Sequence, residues 1–326
     1  MEYTKFGNTD LKTSKIVYGC MGVAGAFGSQ EESDSIDAMR TAYDMGINFF
    51  DTAEVYGDGY SEELLSKALG DKRSDIVITD KVCEKHMKRD EIIKSCEASL
   101  RRLNTDYIDM YLLHWPVYDV PMEERIEALE LLKKQGKIRY YGVSNFGSEN
   151  LDEIMSQTDI AADEVVYNLL YRCIEDEVLP KCKKHNVPIL TYSSLMQGLL
   201  AGKYKNLSDF PANRARTRMF DNETHPQARH KERGCEREGK EALEKIWEIV
   251  YKSDYTMEEL SVGWLKAQDG VGGVLVGTRN AEQSRDLKKL IDINLEKEWV
   301  DSLTEATSAL KRALGSNIDM WDHRTK

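Results

Sequence analysis

Four polar residues in this chain could do chemistry together: Asp51, Lys81, His114 and, in the loop after Asp51, Tyr56. Three of them sit at the ends of apolar runs, and the fourth follows in "DTAEVYG". A tyrosine hydroxyl has a pKa of about 10 in water, so near neutrality it is a weak acid–base catalyst unless a cation favours its phenolate. Lys81 can supply that cation. Asp51 can keep Lys81 charged and aimed. His114 can donate a hydrogen bond to a carbonyl oxygen that gains charge. Together they make a proton-relay site for reducing a carbonyl. Singly, each has a plainer reading: a strand-end Asp or Lys is usually solvated, and a His after an apolar run usually belongs to the core. Their equivalent positions in a repeat argue for one shared site.

The repeat is what must position them. Two β-prone pieces flank "GNTD" and read as a hairpin. Eight apolar runs follow: "KIVYGC", "INFFDT", "DIVITDKV", "YIDMYLLHW", "IRYYGVSN", "DEVVYN", "PILTYSSL" and "GGVLVGT". Amphipathic stretches at 31–45, 61–69, 89–103, 122–135, 148–157, 175–185, 256–268 and 280–290 read as helices. Acidic residues after Ser61 and Ser148 suit helix starts, and "DMGIN" and "KKQGK" suit helix ends. Strand–helix alternation with short loops means parallel strands. Eight such units predict a closed (β/α)₈ barrel of the TIM type, whose functional groups lie at the C-terminal strand ends. An open doubly wound sheet would show Gly-x-Gly-x-x-Gly after its first strand, and "YGCMGVAGAFG" lacks that spacing. The polar, Arg-rich residues 202–239 read as a long loop after the seventh strand, and 296–326 as an extra helix with an irregular end. The whole chain, 1–326, is expected to be a single barrel domain.

Composition narrows the function. A net charge of -12 argues against nucleic acid and anionic membranes as partners. No apolar run is long enough to span a bilayer, and the N-terminus lacks the order of a secretory leader. The six cysteines form no C-x-x-C and have no zinc-ligand spacing. The expectation is a cytoplasmic protein with reduced, buried thiols and no metal.

"DTAEVYG", the Lys of "ITDKV", "LLHWP", "GVSNF", "YNLLYR", "YSSLMQGLLAGKY" and "VLVGTRNAEQ", in this order, resemble the motif series of the aldo-keto reductases over residues 3 to about 290. The resemblance implies Tyr56 as proton donor, with Asp51, Lys81 and His114 completing a tetrad. It implies a nicotinamide cofactor, NADP(H) by preference with NAD(H) as the alternative. Ser144 and Asn145 match the pair that binds the carboxamide, and Tyr192 the residue that stacks on the nicotinamide ring. Ser194, Leu195, Gly198, Leu199 and Lys203 match the pyrophosphate loop. Gly277, Thr278, Arg279, Gln283 and Asp286 match the adenosine end, where the Arg279 fork suits a 2′-phosphate.

The chain departs from that pattern at Glu164, where Gln is usual. Asp286 and Leu287 replace a Glu–Asn pair, Asp80 precedes Lys81 where Thr or Ser is usual, and Ser194 stands where Pro is commoner. An ionised Glu164 could only accept hydrogen bonds and would favour oxidised cofactor; a protonated one would mimic Gln. Phe27, Trp115 and the tail near Trp321 are expected to line the substrate pocket, which suits a small carbonyl compound or sugar. Other readings stay open: a Schiff-base lyase using Lys81, an epimerase, lyase or dehydrogenase with retained cofactor, or a slow regulatory subunit like the potassium-channel β-subunits. A homo-oligomer is compatible with all of them.

Overall fold

The computed structural model describes residues 3–26, 28, 30–321 and 325. An antiparallel hairpin, β1 (Thr4–Lys5) and β2 (Lys12–Thr13), opens the chain. Eight parallel strands then close into a barrel. They are β3 (Ile16–Gly19), β4 (Phe49–Asp51), β5 (Val77–Val82), β6 (Ile108–Leu113), β7 (Ile138–Ser144), β8 (Asp163–Val166), β9 (Ile189–Tyr192) and β10 (Val271–Val276), and β10 pairs back onto β3. The helices around them are α1 (Glu32–Asp44), α2 (Tyr60–Leu69), α3 (Arg89–Leu103), α4 (Met122–Lys134), α5 (Ser148–Met155), α6 (Val178–Lys184), α7 (Glu236–Lys252), α8 (Met257–Lys266) and α9 (Ala281–Asp292). The fold is the expected (β/α)₈ barrel.

Successive side chains of a strand alternate between its faces. One face of these strands meets the helices. The other fills the barrel with Val17, Phe49, Val77, Met110, Leu112, Leu190 and Leu275. Phe6 and Leu11 of the hairpin belong to the same cluster, and the Phe6 ring meets Phe49 edge-on at 5.6 Å. The hairpin thus plugs the N-terminal end of the barrel and leaves the C-terminal end as its mouth.

The helix starts read at 61 and 148 agree with the structure to within one residue, with Gly59 and Gly147 as the N-caps. Ser61 Oγ meets Thr52 Oγ1 at 2.8 Å, bracing the loop after β4. Two other helix assignments differ from the sequence reading. α7 has no counterpart among the helices expected from the sequence, because its first turn is as polar as the loop before it. Its buried Ala242, Leu243 and Ile246 have helical spacing and pack toward α8 and the C-terminal helices. The tail forms two helices rather than one, α10 (Lys297–Ala306) and α11 (Ser308–Leu314), separated at Thr307. That residue's hydroxyl is spent on Leu303 O and on Arg172. No helix among the described residues is long and apolar enough to cross a membrane.

Barrel closure depends on close backbone approach where β10 ends against β3. A Cβ on Gly277 would lie 2.7 Å from the Gly19 carbonyl oxygen, closer than real Cβ atoms come. The seam would have to open. Gly277→Ala should therefore cost about 1–3 kcal/mol of stability, read as a lower urea midpoint with an unchanged m-value.

Candidate active site

The same alternation that fills the barrel carries polar groups into its mouth. Asp51 lies two residues beyond Phe49, Lys81 four beyond Val77, His114 two beyond Leu112, and Tyr192 two beyond Leu190. Ser144 and Glu164 stand opposite one another on β7 and β8. Asp80 has the opposite parity. It is buried on the helix side, where burial and then Glu62 hold its carboxyl well above the usual range.

Lys81 Nζ lies 2.6 Å from both Asp51 oxygens, 3.0 Å from Thr52 O, 3.4 Å from Glu164 Oε1 and 3.5 Å from the Tyr56 hydroxyl. The His114 ring meets Tyr56 edge-on at 6.0 Å. All four residues expected to form the relay are thus brought together, with Glu164 as a fifth member.

Charge in this pocket follows from burial and pairing. Burial works against the Lys81 cation, but Asp51 and then Glu164 outweigh it and raise its pKa well above the ordinary value. Burial raises the Asp51 carboxyl too, opposed by Lys81. Burial, followed by the neighbouring Asp51, drives Glu164 well above the carboxylate range. Asp51 makes the closer contact to Lys81, and Glu164 is the carboxyl pushed further toward its protonated form. Burial likewise raises the Tyr56 phenol, and Lys81 only partly offsets it, because Asp51 and Glu164 push the other way. The Lys81 cation therefore does not bring the phenol below its ordinary value, as the sequence alone suggested; two carboxyls share that cation. His114 is lowered to about 3, by burial first and the Lys81 charge second. Its imidazole is neutral and its buried Nδ1 has no hydrogen-bond partner among the described residues.

Beside this group, Asn145 has a left-handed backbone, with φ 62°. Its Nδ2 donates to His114 O and Ser144 Oγ, each at 3.1 Å, and its Oδ1 accepts the Tyr192 hydroxyl at 2.7 Å. Trp321 Nε1 donates to the same Tyr192 oxygen at 2.9 Å, so the tail does reach the mouth. Trp115 is half-buried directly after His114; Phe27 lies outside the described residues. In the loop after β9, Ser193, Met196, Gln197 and Gly198 all have positive φ. Ser194 Oγ is turned back to Thr191 O, Leu195 is half-buried, Leu199 is buried, and Lys203 is exposed.

At the far rim Arg279 is braced by a residue the sequence did not single out. Arg279 Nε donates to Gln30 Oε1 at 3.0 Å, and Gln30 Nε2 donates back to Arg279 O at 2.6 Å. Gln283 Oε1 accepts the Arg279 N–H at 2.9 Å. Thr278 points inward, its hydroxyl shared between Tyr18 and Ser284, so only its backbone faces the rim. Asp286 is exposed beside Lys289, whereas Leu287 is buried in the core with Ser284 and Leu290. Helical periodicity turns Leu287 away from the rim.

A family model described as the aldo/keto reductase family matches residues 15–308. The chain belongs to the aldo/keto reductase family. It is 34% identical over 313 residues to aldo-keto reductase YhdN of Bacillus subtilis, covering 91% of each protein. An aldo-keto reductase of Klebsiella pneumoniae solved in complex with NADPH is 28% identical, with a TM-score of 0.74 over 93% of this chain and 94% of that one. The glycerol dehydrogenase of Gluconobacter oxydans is 28% identical, with a TM-score of 0.80 over 94% of this chain and 95% of that one. The general activity follows: NAD(P)-dependent oxidoreduction between carbonyl and alcohol.

The neutral His114 can be checked directly. An NMR pH titration of its ring should show no protonation step between about pH 5 and 8, where an unperturbed histidine titrates. An inflection near pH 6.5 would mean that the ring is solvated and the mouth open.

Proposed function

We propose that this protein reduces a small aldehyde, ketone or sugar carbonyl with a nicotinamide dinucleotide, with Tyr56 as the proton donor. The observation that carries the reading is the buried Lys81 ammonium, clamped by Asp51 and 3.5 Å from the Tyr56 hydroxyl. The residues present fit the cofactor. Glu164 Oε2 is a buried polar atom with no hydrogen-bond partner among the described residues, at the position where a carboxamide would be held. Gly277 leaves bare backbone at the rim, and the loop after β9 turns through left-handed residues, the backbone geometry from which anion-binding nests are built.

The dinucleotide, when bound, supplies the hydride. This chain's own residues manage the proton. The raised Tyr56 pKa keeps the hydroxyl protonated at working pH, the state needed to protonate a carbonyl oxygen. Neutral His114 can donate to that oxygen without adding charge to the pocket. Asp51 holds Lys81 in place. Ser144, Asn145 and protonated Glu164 would hold the carboxamide, Tyr192 the ring, Ser194, Leu195, Gly198, Leu199 and Lys203 the pyrophosphate, and Gly277, Thr278, Arg279 and Gln283 the adenosine end. Asp286 fits this last set least well, since it faces solvent. The Arg279 fork supports NADP(H) over NAD(H), as does the NADPH bound by the Klebsiella relative. Trp115 and Trp321 would flank a small polar substrate. Lys81 is unsuited to Schiff-base chemistry, because its pKa is raised and not lowered.

Tyr56→Phe keeps the ring and removes the proton. Carbonyl reduction, followed by cofactor absorbance across an aldehyde, ketone and sugar panel with both cofactors, should fall by about 10²–10⁴-fold. Cofactor affinity should persist. Near-normal turnover in the variant would overturn the assignment.

Glu164 tests the charge state of the pocket. A protonated carboxyl offers one donor and one acceptor, much as Gln does. Glu164→Gln should therefore leave the ratio of dissociation constants for oxidised and reduced cofactor within about twofold near neutral pH. A shift of about 10-fold toward the reduced form, equivalent to one pKa unit of interaction, would show that Glu164 is ionised there.

A further inference from the structure

The loops leaving β4 and β5 bring a second set of chemically active side chains together, outside the group around Lys81. Glu54 lies two residues before Tyr56, and Cys83 two residues after Lys81. His86 N donates to Cys83 O at 3.0 Å, and this turn sets the Cys83 and His86 side chains side by side. Cys83 Sγ is 3.5 Å from His86 Nδ1, and Glu54 Oε1 is 3.1 Å from the same nitrogen. Glu54 Oε1 is itself pinned by the Cys83 N–H at 2.7 Å. One ligand atom from each residue lies within 4.8 Å of the other two.

Hydrogen bonding alone serves this arrangement poorly. Ser95 Oγ also lies 3.1 Å from His86 Nδ1, so three side chains converge on one ring nitrogen. That nitrogen carries a single proton or a single lone pair and can satisfy only one of them. Four-coordinate zinc, with Zn–S about 2.3 Å and Zn–N or Zn–O about 2.0–2.1 Å, sets S···N edges of about 3.5 Å and N···O edges of about 3.3 Å. The Cys83–His86 and Glu54–His86 separations already approach those edges. The His86 side chain is 48% exposed whereas that of Glu54 is 9% exposed, so the cluster is anchored on one side and open to solvent on the other.

We propose that Glu54, Cys83 and His86 bind a thiophilic divalent cation of the zinc class, with water in the fourth position. Thiolate, carboxylate and neutral imidazole suit this class, and the two anionic ligands balance its charge. On binding, Cys83 gives its thiol proton to solvent and forms the sulfur–metal bond; no electron moves. Glu54 turns its lone pair from the Cys83 N–H to the ion. The ion would tie the loop that carries Tyr56 to the loop that follows Lys81.

Cobalt(II) titration of the purified full-length protein tests this without reference to turnover. The wild type should bind one cobalt with the intense visible bands of a four-coordinate site and a near-ultraviolet thiolate-to-cobalt charge-transfer band, and zinc should displace both. Cys83→Ser should lose the charge-transfer band. His86→Ala and Glu54→Gln should each weaken binding by at least about 10-fold. Cys235→Ser, which changes the one half-buried cysteine elsewhere, should leave the spectrum intact. Circular dichroism confirms that each variant is folded. Absence of saturable bands in the wild type, or a charge-transfer band that survives in folded Cys83→Ser, overturns the proposal.

Discussion

The Lys81–Asp51 ion pair is the constraint around which the barrel mouth is organised. Both side chains are removed from water, and each charge loses several kcal/mol of solvation in such a place. Only close pairing can offset that, and deleting one partner of a buried pair typically costs about 3–5 kcal/mol. The two 2.6 Å contacts and the Thr52 carbonyl supply the pairing. Burial and this pair together bias the protonation of the other groups in the pocket. Burial, and then the neighbouring Asp51, push Glu164 toward its protonated form, and burial, and then the Lys81 charge, keep His114 neutral.

Strand parity makes this possible. Asp51, Lys81, His114, Glu164 and Tyr192 share the barrel interior with Phe49, Val77, Leu112 and Leu190, only one or two turns of the pleat closer to the mouth. A one-residue slip in any strand would exchange its interior and helix-facing sets. Asp80 illustrates the consequence: one residue from Lys81, it is buried among the helix-side groups and takes no part in the pocket. The hairpin adds the other half of the device, since a barrel closed below by Phe6 and Leu11 has a single mouth.

Much of this was legible in the sequence because the relevant signals are local and repeated. Alternating apolar runs and helix patterns marked the eight units, and a polar residue at equivalent points of several units marked the mouth. The starts of α2 and α5 were legible too, but not what caps them: a Ser followed by acidic residues resembles a cap, whereas Ser61 is used for a side-chain contact to Thr52. α7 was hidden because its first turn is as polar as the loop before it, and its apolar stripe is complete only after Ile246.

By itself the sequence determined the barrel, the family and which residues are candidates for the relay, because each depends on order and spacing along the chain. Tertiary structure alone decided the charge states and the cross-chain partners. The sequence left Glu164 free to be ionised or protonated; burial, and then the neighbouring Asp51, push its carboxyl toward the protonated form against the pull of Lys81. Arg279 was visible, but Gln30, which braces it from 249 residues away, was not. Cysteine spacing pointed away from any metal. Yet Glu54, brought from a neighbouring strand, completes a ligand set with Cys83 and His86 that no linear motif contains. Partners supplied by different strands leave no spacing in the sequence, because their distance is set by barrel closure and not by the chain between them.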